Sequence, residues 1–400
     1  MGRTMAIHET RRQVQALFGV AGHGATPPRI GLEAEFLLVP AADRNGRVRI
    51  ATVTRALASM PTLVRTGHPS FEPGGQLELS PAPAPSPALA LARLDALTHQ
   101  TSMALERSGV RMVAAGLDRW RSVEVLGLQT PKDRYRVMQA HFDRFGPSGR
   151  RMMRQTASLQ VCIDRTPGPG AGRQWLAANL VGPALAAAFR TSPPGDNRTA
   201  VWLGVDPSRT GLDGRQVAAA DPVDAYLGFA LDAEVMPLPR LGEREEVRLD
   251  RTALGAWIAR GLARPDGTDI RHHLSTLFPP VRPRGRYLEV RFLDAQPERS
   301  RIAAVTLVAI LLGDPVAREA AIELVGDDPT GLGPAWIRSA RSGLADPGLR
   351  SVARDLALVA AARVAPIDRR WPGWLPATAR DSLEGLVAGL AAHEPRAMAS

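Results

Sequence analysis

Glutamate, glutamine and arginine recur two residues apart in runs that otherwise alternate with apolar side chains. Glu33 and Glu35 stand in RIGLEAEFLLV (29–39), and Gln76 and Glu78 in SFEPGGQLELS (70–80), where Glu72 precedes a Pro-Gly-Gly turn. Ser158, Gln160 and Cys162 alternate with Leu159, Val161 and Ile163, and Glu289 and Arg291 with Leu288, Val290 and Phe292. A spacing of two places both members of a pair on one face of a strand. Two carboxylates about 7 Å apart on such a face repel unless water or a cation lies between them. Taken singly, each run allows a solvated edge, and Glu289 beside Arg291 also allows a structural ion pair. The chemical alternative is a site in which carboxylates hold magnesium and arginine meets phosphate.

These side chains need strands to carry them, and the chain provides candidates at Arg29–Val39, within Ser70–Ser80, at Val110–Leu117, at Arg151–Asp164 and at the end of Arg282–Asp294. Helices separate them. His8–Phe18 is amphipathic. Ser86 suits an N-cap and Pro87 the first turn of a helix running to about Ser108, where Gly109 closes it. Lys132–Phe145 predicts a helix stopped by Gly146 and Pro147, and Trp175–Phe189 an alanine-rich one. Pro193–Gly211 reads as a loop around Arg198, Trp202, Asp206 and Arg209. Its arginines either clamp a substrate carboxylate or pair with the local aspartates. Ala225–Pro237 fits a strand or a short helix, and Thr252–Gly261 a helix. From Glu298 to Pro395 helical periodicity is nearly continuous, punctuated by Asp314-Pro315, Asp328-Pro329 and Asp346-Pro347.

Composition removes several function classes. The formal charge is +10, but it comes from arginine spread along the chain among acids, with Lys132 the only lysine. No basic run interleaved with aromatics offers a stacking platform, so nucleic acid is not an expected partner. Cys162 is the single cysteine, which excludes an internal disulfide and favours a small inert filler over a reactive thiol. Adjacent His272 and His273 point apart on regular structure, and without HExxH or a cysteine cluster zinc is not expected. The amino terminus lacks the apolar core of a signal peptide, and Ile302–Leu312 is shorter than the ~20 residues that span a bilayer. The expectation is a cytoplasmic protein with no membrane partner, working as a monomer.

Four runs of one design suggest a sheet whose apolar face packs on helices and whose polar face lines a cleft. Glu33, Glu35, Glu72, Glu78 and Glu289 in one volume would repel strongly, and divalent cations are the usual remedy. Arg282, Arg284 and Arg291 at its rim suit a phosphorylated ligand, and together these groups fit phosphoryl transfer. No GxxxxGK[ST] loop is present, which excludes a P-loop.

The blocks GLEAEF (31–36), FEPGGQLELS (71–80), MMRQTASLQVCID (152–164), NRTAVWLGVDPSRTG (197–211) and HLSTLFPPVRPRGRYLEVRFLDAQP (273–297) resemble the plant-type, family 2 glutamate–cysteine ligases. The likeness is greatest to the bacterial branch that makes γ-glutamylcysteine for ergothioneine synthesis. It implies an α+β fold, a curved antiparallel sheet bowl backed by helices and akin to glutamine synthetase. It also implies one catalytic domain over 1–400, with a sheet-rich core at about 30–297 and a helical region at 298–395. Implied too are ATP as co-substrate, with magnesium or manganese, and glutamate and cysteine as the substrates joined. Carried over, Glu33, Glu35, Glu72, Glu78 and Glu289 are the metal carboxylates, and Glu289 and Arg291 the catalytic pair. Arg284 and Arg291 face the nucleotide phosphates, while Gln160, Arg198, Trp202, His273, Thr276 and Arg282 line the substrate cleft. The alternative is an ATP-dependent carboxylate–amine ligase with another amine acceptor. The plant enzymes' internal disulfide switch is closed to a chain with one cysteine.

Overall fold

The computed structural model describes residues 2–19, 27–58, 60, 62, 66–130, 132–192, 195–218, 221–236, 251–261 and 266–392. Alternation makes the strands. They are β1 (Ile30–Pro40), β2 (Ser70–Phe71), β3 (Leu77–Leu79), β4 (Val110–Val113), β5 (Ser158–Asp164), β6 (Val281–Pro283) and β7 (Tyr287–Asp294). They form one open sheet in the order β2-β3-β1-β5-β7-β6, with β4 joined to β1. Every pairing is antiparallel.

Register sorts the side chains. Leu32 faces Val161, Val161 faces Val290, and Val290 faces Val281, a buried apolar row across four strands. Burying each such side chain is worth about 1.5–3 kcal/mol, so a slip by one residue, which would put the carboxylates there, is strongly disfavoured. Helices Pro87–Glu106, Gly182–Ala188 and Glu298–Gly313 pack against β1, β7 and β5. A single apolar cluster runs from the sheet into the carboxy-terminal helices.

On the other face Glu35 opposes Glu78, Glu33 opposes Gln160, and Cys162 opposes Gly31 on one side and Glu289 on the other. Arg282 opposes Glu289 in turn. Between Leu159, paired with Leu293, and Val161, paired with Val290, β7 carries an extra residue. Arg291 and Phe292 together therefore face Gln160, a bulge of the kind that re-aims a side chain.

Several elements differ from the sequence reading. Arg151–Asp164 is not one strand: Ser148–Gln155 is a helix, and β5 begins only at Ser158. Arginine, methionine and glutamine are unbranched helix formers, and the first β-branched residue of the stretch, Thr156, is where the helix stops. The loop around Arg198 contains helix Arg198–Leu203, capped by Asn197, and the turn Pro207–Thr210, capped by Asp206. The alanine-rich segment is two helices, Gly170–Leu180 and Gly182–Ala188, because Pro183 opens a new first turn. Val110–Leu117 keeps only β4 and an isolated bridge from Leu117 to Thr156. Of Ala225–Pro237, the part to Asp232 is helix, Pro222–Asp232 with Asp221 as cap, Glu234 forms an isolated bridge with Ala253, and Pro237 lies outside the described residues. Among the described residues no single helix is long and apolar enough to cross a membrane.

Candidate active site

The polar face of the sheet floors a cavity of about 280 Å³. At one end Glu35, Glu72 and Glu78 place carboxylate oxygens within 4.8 Å of one another. Strand pairing fixes two of them. Glu35 Oε2 accepts from the backbone N–H of Ser158 at 2.8 Å, and Glu78 Oε1 accepts from Ser70 and Ser80 hydroxyls at 2.9 and 3.0 Å. Glu72 arrives on the turn after β2, closed by Glu72 N–H donating to Gln76 O at 3.0 Å.

At the other end lies Glu289. Arg291 Nη1 donates to Glu289 Oε1 at 2.8 Å, and Arg282 and Arg284 lie 3.7 and 3.6 Å from Oε2. That buried Oε2 has no hydrogen-bond donor. Gln160 joins the two ends. Its Nε2 donates to Glu35 Oε1 at 3.2 Å and its Oε1 accepts from Arg291 Nη1 at 3.0 Å. Arg198 Nη2 donates to the Arg291 carbonyl at 2.9 Å, and its guanidinium lies 5.7 Å from the Trp202 ring. Trp202 Nε1 is buried without a partner.

The electrostatics follow the same division. Burial, then the charges of Glu289 and Glu78, push the Glu33 carboxyl up to about 7. Burial with Glu35 and Glu78 pushes Glu72 up to about 8, and burial with Glu78 raises Glu35 as well. Burial opposes ionisation of Glu289 too, but Arg291, Arg282 and Arg284 outweigh it and hold that carboxyl below its usual range. At one end carboxyl groups and burial thus dominate, and at the other guanidinium groups do. Three hard oxygen ligands within reach of one point fit a divalent cation.

Most of the expected residues line this cleft: Glu33, Glu35, Glu72, Glu78, Gln160, Arg198, Trp202, Arg282, Glu289 and Arg291. His273 and Thr276 do not, which corrects the expectation for both. His273 is buried, its Nε2 donating to Ala230 O at 2.8 Å, and burial followed by Arg209 lowers its pKa to about 3. Thr276 Oγ1 accepts from Arg209 Nη1 at 2.7 Å and donates to the His273 carbonyl. Arg209 itself pairs with Asp206, as local pairing anticipated, whereas Arg198 reaches into the cleft. His141, Asp206 and Glu234 also converge, but Arg144, Arg209 and Arg251 already neutralise them.

Arg284 lies outside the cleft, on a second cavity of about 670 Å³ that also holds Gly31, Cys162, Arg286 and Tyr287. Glu33 lines both cavities. Burial, followed by Glu33 and Glu289, raises the Cys162 thiol well above its ordinary range, which suits an inert filler. Sequence reasoning missed the opposite wall: Arg134, Tyr135 and Met138 from helix Asp133–Phe142, with Ser275 and Phe278. Arg134 reaches across to the Ser275 carbonyl at 2.9 Å. The signal was an arginine four residues before Met138, on that residue's side of the helix.

A family model described as glutamate-cysteine ligase family 2 matches residues 29–371. The chain belongs to this family. Within it, the glutamate–cysteine ligase EgtA of Mycolicibacterium smegmatis is 33% identical over 354 residues, spanning 84% of this chain and 80% of that protein. EgtA of Mycobacterium tuberculosis is 34% identical over 359 residues, 84% and 79% of the two chains. A chloroplastic glutamate–cysteine ligase of Medicago truncatula is 27% identical over 272 residues, 64% of this chain and 53% of that one. Among solved structures, the glutamate–cysteine ligase of Francisella tularensis in complex with AMP superposes with a TM-score of 0.53 at 14% identity. It covers 91% of this chain and 82% of its own, which shows a shared fold.

Proposed function

We propose that this protein joins the γ-carboxylate of L-glutamate to the amine of L-cysteine at the expense of ATP, releasing γ-glutamylcysteine, ADP and phosphate. Family membership and the EgtA relatives support the reaction and a place in ergothioneine synthesis. One observation carries it to the site: an acid cluster and an arginine cluster face each other across one cleft, joined through Gln160.

Glu35, Glu72 and Glu78 are read as ligands for magnesium, or manganese in its place, with Glu33 and Glu289 completing the set. The cation would supply charge neutralisation at the phosphates during transfer. Arg284 and the larger cavity suit the nucleotide, which brings the terminal phosphate to Glu33, where the two cavities meet. Arg198 and the free Trp202 Nε1 suit the glutamate carboxylates. The γ-carboxylate needs no general base, since it is already ionised and nucleophilic at neutral pH. Arg291 neutralises charge on the group in flight, first as it leaves ADP and again as phosphate departs from the γ-glutamyl phosphate under attack by the amine. Gln160 is a spacer here as much as a substrate contact, since both ends of its amide are used. We further read the chain as one catalytic unit, supported by the apolar cluster that runs from sheet to carboxy-terminal helices.

The test is purified protein with ATP, magnesium, glutamate and a panel of amines, following phosphate and ligated product. Cysteine should give the highest kcat/KM. Phosphate release indifferent to cysteine but responsive to another amine would overturn the acceptor.

A further inference from the structure

Glu72 differs from the other two members of the acid cluster in how it is held. Glu35 and Glu78 oppose each other in the β1–β3 ladder, whereas Glu72 sits outside any strand, at the start of the turn Glu72–Gln76. Its place therefore depends on how that turn is anchored. Gln129 meets the outer side of the turn twice: its backbone N–H donates to Pro73 O at 2.7 Å and its Nε2 to Gly74 O at 2.8 Å. The same amide is tied down behind, with Nε2 donating to Val48 O at 3.1 Å and Oε1 accepting from Ile50 N–H at 3.3 Å. The fit is close. A Cβ on Gly75, which has φ +92°, would lie 2.3 Å from Gln129 Nε2.

We infer that Gln129 is a positioning residue that keeps the Glu72 carboxyl group within the cation-binding cluster by anchoring the turn that carries it. The physical need is clear. A carboxyl on a free turn can swing away from neighbours within 4.8 Å rather than share their site, and a cation would then have to draw it back on binding. A turn fixed through two carbonyls presents the ligand ready placed, as supporting hydrogen bonds do at metal sites generally. Nothing in Gln129 reaches the cleft, so its effect passes through Glu72.

This assignment rests on the reading of Glu35, Glu72 and Glu78 as cation ligands, and the experiment separates the two. Binding of Mn2+ alone to the full-length protein is measured by loss of the free-ion paramagnetic resonance signal, for wild type, Glu35→Gln, Gln129→Ala and Gln129→Glu. The Gln129→Glu variant keeps the size and the acceptor for Ile50 but loses the donor to Gly74 and Val48, and so guards against simple collapse of the alanine variant. Both Gln129 variants should weaken Mn2+ binding about tenfold or more. Activity in these variants should recover toward the wild-type kcat at saturating metal, a rescue that general unfolding does not give. Folded Gln129 variants that bind Mn2+ as tightly as wild type, while Glu35→Gln does not, would overturn the positioning role alone. Wild type and Glu35→Gln binding equally, or not at all, would overturn both readings.

Discussion

Arg291 donates to Gln160 and Glu289 while its own carbonyl accepts from Arg198, so one residue ties the floor of the cleft to its wall. A lysine there keeps the charge but loses the remaining guanidinium N–H groups, which stay available for phosphate because Nη1 alone serves both Gln160 and Glu289. Arg291→Lys should lower kcat about 10²–10³-fold with an unchanged circular dichroism spectrum. Near-normal turnover would remove Arg291 from the transfer step. Glu78→Ala should shift the magnesium activation curve to higher concentration, and an unshifted curve would return Glu78 to a solvated role. At this scale much was legible, because a period of two in Glu, Gln and Arg is visible without a structure. His273 and Thr276 were not. They stand close in sequence to Arg282, but helix Gly267–Ser275 turns His273 toward Ala230, and nothing in the spelling says which way a helix end faces.

The strands were foreseeable and their accidents were not. Strand β7 reads as clean alternation, yet its extra residue at Arg291–Phe292 leaves no mark in composition. Behind that bulge, Phe292 packs on Trp336 with ring centroids 6.0 Å apart, and a Cβ on Gly182 would come within 2.8 Å of the Trp336 ring. Gly182→Ala should therefore cost about 1–3 kcal/mol of stability, read as a lower urea midpoint. An unchanged midpoint would mean that Trp336 yields freely. Helix Ser148–Gln155 escaped notice for a different reason: RRMMRQ runs straight into a true strand, and a short window cannot separate the two. The far wall from helix Asp133–Phe142 was missed because helices disclose which side is apolar, not which neighbour it meets.

Across the whole molecule, one apolar cluster binds sheet and helices, so titration of a single buried group should register in global stability. His273 holds its proton only below about 3, whereas an unfolded histidine takes one up near 6.5. The unfolded chain thus binds the extra proton as pH falls below ~6.5, and stability declines by about 1.4 kcal/mol per unit down to about 3, with the full value present above ~6.5. The raised carboxyls of Glu33, Glu35 and Glu72 act in the opposite sense, so the comparison must be differential. His273→Gln, able to donate to Ala230 in the same way, should lose less stability than wild type between pH 7 and 4.5 in urea unfolding. Parallel losses in the two proteins would show that this ring does not titrate as its burial implies. The meeting of the two cavities at Glu33 bears on inhibition. A single molecule with a nucleoside head and an acidic amino-acid tail can lie across both, and the tether makes the second encounter intramolecular. Such a two-headed ligand should bind about 10²–10⁴-fold more tightly than either half and compete with ATP and glutamate alike in titration calorimetry.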